Sequence, residues 1–139
     1  MRIMGLDVGD KWIGVALSDA EEILASPLTI ITRGSEMADM ATLCNIVNQN
    51  QVSKVIIGLP RNMDGSLGQQ AVKVQDFAAR VVRFVRLPIE YRDERLTTVQ
   101  AKNLGARGKK ARGVRQDAKA AALILQSYLD EKREMGNKG

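Results

Sequence analysis

The chain has 139 residues, 45% of them hydrophobic, and a formal charge of +5, which suits one compact domain with a real core and excludes wholesale disorder. It has no histidine, which excludes a histidine general base, a Ser-His-Asp triad and a His-ligated zinc site. Its single cysteine, Cys44, excludes an intramolecular disulfide. Any chemistry must rest on carboxylates, lysine, hydroxyls or bound metal, and the modest basic excess is compatible with a polyanionic partner.

Residues Arg2–Val8 read as a first strand and Ile13–Leu17 as a second, with Gly9-Asp10-Lys11 as the tight turn of a hairpin. The opening segment lacks the uninterrupted apolar run of a signal peptide, because Asp7 breaks it. The apolar runs Val55–Leu59 and Ala120–Leu125 are too short to span a bilayer, so a cytoplasmic location is expected. Pro27–Thr32 is a β-branched third strand. Ser35 is a plausible N-cap for a helix that buries Met40, Leu43, Cys44 and Val47 and ends near Asn48–Asn50.

Lys54–Leu59 is an apolar run of strand length, covered on both faces. A polar loop with Gly65 and Gly68 leads to a helix expected to turn Ala71, Val74, Phe77, Ala78, Val81, Val82 and Val85 inward. Pro88–Glu94 is a strand ending in charge. Thr97 and Gln100 form a capping box for a third helix, and Gln116–Leu129 is a final helix with Ala121, Leu125 and Leu129 inward. The order β-β-β-α-β-α-β-α-α predicts an α/β, three-layer domain: a mixed five-stranded sheet with helices on both faces, spanning residues 1–130, with 131–139 as a frayed tail.

Three carboxylates stand out. Asp7 interrupts an apolar strand, where a charge is costly unless paired, hydrogen-bonded or metal-bound; a turn-capping role before Gly9 is the simpler alternative. Glu94 lies at a strand's carboxyl end, where ligands of open α/β sheets collect, although a salt bridge to Arg92 or Arg95 would also explain it. Asp117 falls in the first turn of the last helix, where the dipole alone favours it. If the first and fourth strands are neighbours and the last helix packs beside them, the three share one end of the sheet. Mg²⁺ is then the natural neutraliser, and two such ions can activate water against a phosphodiester.

The stretches MGLDVGDKWIGVALSD (Met4–Asp19), IIGLPRNMDGSLG (Ile56–Gly68), DERLTT (Asp93–Thr98) and DAKAAALILQSYLD (Asp117–Asp130) occur in this order, and together the chain resembles the YqgF/RuvX family from Met1 to about Asp130. That family is described as pre-16S rRNA nucleases or Holliday-junction-resolvase-like proteins. The resemblance implies a ribonuclease-H-like fold and places an acidic, metal-binding and catalytic triad on Asp7, Glu94 and Asp117, with Mg²⁺ or Mn²⁺ as cofactor, two ions in number. Trp12 departs from the family pattern, in which an arginine is expected.

Other residues fit a nucleic-acid substrate. Arg107, Lys109, Lys110, Arg112 and Arg115 put five cations within nine residues just before Asp117, and with Arg95 they could grip phosphates; a solvated charged loop is the plainer reading. Asp64 is read as a turn residue before Gly65 more readily than as an outer carboxylate, and Trp12 as a base-stacking or a packing residue. Gly58 and Gly65 are read as backbone necessities. The expected partner is structured RNA, with branched DNA as the alternative, bound by a monomer or homodimer away from membranes. The expected role is 5′-end maturation of precursor 16S rRNA. Holliday-junction resolution is a second reading and a non-catalytic rRNA-maturation factor a third. LDVGDKWIGVA (Leu6–Ala16) also resembles the phosphate loop of actin and sugar kinases, but those enzymes close two lobes around a nucleotide.

Overall fold

The computed structural model describes residues 1–94 and 118–138. Five strands, β1 (Arg2–Val8), β2 (Trp12–Ser18), β3 (Ala25–Thr32), β4 (Val52–Leu59) and β5 (Ile89–Asp93), form one sheet in the order β3-β2-β1-β4-β5. β1 pairs with β2 and β2 with β3 in antiparallel fashion, whereas β4 runs parallel to both β1 and β5. The first and fourth strands are therefore neighbours. Helices α1 (Glu36–Asn50) and α2 (Gln69–Val85) supply the crossovers, and α3 (Lys119–Lys138) covers the opposite face. The mixed three-layer sheet is as expected.

Strand alternation divides the core in two. Met4, Leu6, Val8, Ile13, Val15, Val55 and Ile57 point toward α1 and α2, where they meet Met40, Leu43, Val74, Phe77 and Val81. Ile3, Ala16 and Ile56 point the other way, toward Ala118, Ala121, Ile124 and Leu125. Ser35 caps α1 by accepting a hydrogen bond from Ala38 N at 3.1 Å.

Several expected details shift. Val82 is 47% exposed: Ala71, Val74, Phe77, Ala78 and Val81 set the inward stripe of α2, and Val82 falls at its edge. Cys44 is only half-buried, its Sγ 3.5 Å from the Phe84 carbonyl, and Ile46 takes a core position instead. β3 starts at Ala25 and β4 at Val52. Pro27, which cannot donate to the ladder, is accommodated because β3 is an edge strand and the register shifts between Val15 and Ala16. β5 ends at Asp93, so Glu94 is the first residue beyond it. The final helix begins at Lys119 and continues to Lys138 through the residues read as a tail, with Arg92 paired to Glu131 and Lys132 to Glu22. The Thr97–Gln100 capping box lies outside the described residues. No helix among those described is long and apolar enough to cross a membrane.

Candidate active site

Asp7 lies on the α3 face of the sheet, one residue before the end of β1. Its partner across the antiparallel pair is Gly14. On the parallel side Leu6 pairs with Ile57, so the next position along β4 is Gly58. The carboxylate therefore rises between two strands that carry no side chain at its level. This open space is filled from above. A Cβ on Gly14 would sit 3.5 Å from Ala118 Cα and 3.6 Å from Ala121 Cβ, which fixes the start of α3 over the strand next to Asp7.

Gly58 is needed for room rather than for an unusual backbone. A Cβ there would lie 2.5 Å from Ile124 Cδ1 and 3.1 and 3.2 Å from Cγ and Cδ of Glu94. Glu94 thus folds back from the end of β5 across Gly58, toward Asp7. Gly65, by contrast, does adopt the left-handed backbone expected of it, with φ 90°.

The electrostatics of the pair agree with this convergence. Both carboxyl groups are half-buried. Burial raises the Asp7 pKa above its ordinary 3.8. Glu94 is pushed up from 4.5 to about 7, first by burial and then by the negative charges of Asp7 and Asp93. Two acids that resist joint ionisation form a site that favours a cation or a retained proton.

The surroundings hold the pair in place. Arg33 Nη1 donates to the Gly9 carbonyl at 2.9 Å, while its guanidinium lies 3.8 Å from Asp39 and 5.0 Å above the Phe77 ring. This contact pins the turn that follows Asp7; sequence reading missed it, because the partners are 24 residues apart and no local pattern marks them. Arg92 is turned to Ser127 Oγ at 3.0 Å and to Glu131, and Arg61 approaches Asp93 at 3.9 Å. Arg92, one of the two salt-bridge partners expected for Glu94, is thus turned to α3, and the other, Arg95, lies outside the described residues.

The other candidate residues divide clearly. Asp64 accepts from Ser66 N at 2.9 Å and Ser66 Oγ at 2.6 Å, which is the turn role. Trp12 is 37% exposed. Asp117, Arg95, Arg107, Lys109, Lys110, Arg112 and Arg115 lie outside the described residues. Among the described residues no group of three His, Cys, Asp or Glu side chains could hold a metal ion. Asp7 and Glu94 are two hard oxygen donors, short of such a group by one.

A family model described as RuvX: Holliday junction resolvase matches residues 1–131. The chain belongs to this YqgF/RuvX family. Membership brings the ribonuclease-H-like fold and supports a hydrolase of the nuclease or resolvase kind. Among RuvX relatives, a candidate pre-16S rRNA nuclease of Caldanaerobacter subterraneus subsp. tengcongensis is 45% identical over 137 residues, covering 96% of this chain and 99% of that protein. One of the same name from Moorella thermoacetica is 48% identical over 139 residues, with 98% and 99% covered. The chain is also similar in fold to T. thermophilus RuvC solved with a Holliday junction substrate. The TM-score there is 0.66 at 13% identity, with 98% of this chain and 96% of that one covered.

Proposed function

We propose that the protein is a metal-dependent nuclease that hydrolyses phosphodiester bonds at Asp7, Glu94 and Asp117, in the 5′-end maturation of precursor 16S rRNA. The observation that carries the reading is the convergence of Asp7 and Glu94 over Gly58, with Glu94 pushed up to about 7. Two half-buried carboxylates, both raised by burial and Glu94 also by the charge of Asp7, are a donor set suited to a hard divalent cation. Asp117 lies outside the described residues and enters as the third donor because the family resemblance places an acid there, at the head of DAKAAALILQSYLD.

Asp7, Glu94 and Asp117 would hold Mg²⁺ or Mn²⁺, two ions in number, which when bound supply an activated water and stabilise the leaving oxygen. Glu94 must give up its proton for this, so occupancy is linked to pH. Arg95, Arg107, Lys109, Lys110, Arg112 and Arg115 would bind phosphate oxygens and position the strand without reading its sequence. The names of the relatives favour precursor 16S rRNA as substrate.

The test is cleavage of precursor 16S rRNA, a Holliday junction and linear duplex DNA by wild type and Asp7→Asn, in Mg²⁺, Mn²⁺ or EDTA. Metal-dependent cutting of the rRNA by wild type alone is expected. Preference for the junction would move the role to DNA recombination. Equal binding by both proteins without cutting would replace the nuclease with a non-catalytic maturation factor.

A further inference from the structure

We infer that Trp12 is a stacking platform for an unpaired base beside the phosphate held at Asp7 and Glu94, an inference that rests on the nuclease reading above. Trp12 opens β2 at the same end of the sheet as Asp7. Ile13 is in the core under α1 and α2, whereas Gly14 meets Ala118 and Ala16 packs in the α3 core. By alternation Trp12 therefore stands on the α3 face, with Gly14, Ala16 and Asp7.

The separation is short. Asp7 pairs with Gly14, and Trp12 is two positions from Gly14 along β2, the diagonal relation in which residues lie about 7–8 Å apart and aromatic side chains still reach across. A base adjoining a phosphate at the carboxylates falls within reach of such a ring.

Exposure alone would mean little, since single apolar residues are common on surfaces. The setting of this one is specific. Its cross-strand partner Thr32 is polar and exposed, and the turn residues Asp10 and Lys11 beside it are exposed. Ile23 and Leu24, also exposed, precede β3 at the other end of the sheet. Among the described residues, an indole beside polar groups and close to the proposed metal-binding acids suits a base, whose flat π-face needs no apolar surround.

Trp12 is the chain's single tryptophan, so its fluorescence reports on this position alone. The experiment titrates wild type, Trp12→Phe and Trp12→Ala with a labelled RNA hairpin bearing a single-stranded flank, in Ca²⁺ in place of Mg²⁺. A matched hairpin with abasic flank positions is the comparison. Binding is followed by anisotropy of the label and stacking by Trp12 emission. Quenching with the intact flank and less with the abasic one is expected. Trp12→Phe should bind within about 3-fold of wild type, and Trp12→Ala roughly 5- to 100-fold more weakly, the range of one base–aromatic contact. Tight binding with unchanged emission, or with Trp12→Ala equal to wild type, overturns the stacking role and leaves the nuclease reading standing. Absence of any binding by wild type overturns both.

Discussion

Glu94 lies across Gly58, its carboxyl carbon 3.2 Å from where a Cβ at that glycine would be. The acid can reach toward Asp7 because β4 presents no side chain there. Gly58→Ala should therefore displace Glu94 and also press on Ile124, an overpacking that typically costs about 1–3 kcal/mol. Gly5→Ala supplies the control. Its Cβ would meet Leu125 Cβ at 2.8 Å, away from Glu94, so it should destabilise comparably. The two variants are expected to lose similar thermal stability, while only Gly58→Ala shifts the Glu94 titration followed by carboxyl NMR.

Protonation of the acidic pair makes metal-free stability depend on pH. Glu94 titrates at 4.5 when unfolded and about 7 in the fold, and Asp7 is raised from 3.8 in the same sense. Between these limits the native state binds more protons than the unfolded one, so stability is highest below about pH 4.5 as far as this pair is concerned. It falls as pH rises through 7 and then levels off. In EDTA, thermal melts should show a decline of a few degrees over that window. Glu94→Gln should flatten it. Millimolar Mg²⁺ should restore wild type at pH 8 but not the variant, because a ligand of the native state alone stabilises by mass action.

The charge of Asp7 contributes to that titration directly. Asp7→Asn keeps the size of the side chain and removes the repulsion, so the Glu94 midpoint should move down from about 7, stopping short of 4.5 because burial remains the larger cause. Carboxyl NMR across pH 4–9 would measure it; an unmoved midpoint would mean that the two groups do not interact. Cleavage by the same variant should fall by more than about 100-fold, beyond the loss typical of residues that only support a metal ligand.

What the sequence conveyed followed from local rules. Alternation in Arg2–Val8 and Ile13–Leu17 marked the hairpin, and a charge inside an apolar strand marked Asp7. The adjacent valines Val81 and Val82, and Cys44 against Ile46, were harder, because helical phase depends on which neighbour a helix packs against. Gly58 by itself reads as a backbone requirement, whereas its role is to leave space for Glu94 and Ile124, a relation between residues far apart in the chain. Arg33 escaped notice for the same reason: its partners Gly9, Asp39 and Phe77 come together only in the fold.

That Arg33 contact yields a further expectation. The guanidinium serves the Gly9 carbonyl, the Asp39 carboxylate and the Phe77 ring at once, and a lysine's single ammonium cannot match this geometry. Arg33→Lys should cost about 1.5–3 kcal/mol, the range for a hydrogen bond to a charged group, with faster hydrogen exchange at Gly9, whose N–H donates to the Trp12 carbonyl at 2.9 Å. Unchanged exchange there would separate Arg33 from the turn that follows Asp7.

The basic run from Arg107 to Arg115 gives the most direct test of phosphate binding. Each phosphate contact releases counterions and adds about 0.7–0.9 to the slope of log affinity against log salt. Replacing Arg107, Lys109, Lys110, Arg112 and Arg115 by glutamine should therefore lower the slope by up to about 4 and weaken RNA binding at low salt without altering base preference, since such contacts position rather than read. The far-UV spectrum and the Glu94 titration should stay as in wild type. An unaltered salt slope would mean that the five cations face solvent, and Arg95 with other basic residues would have to hold the substrate.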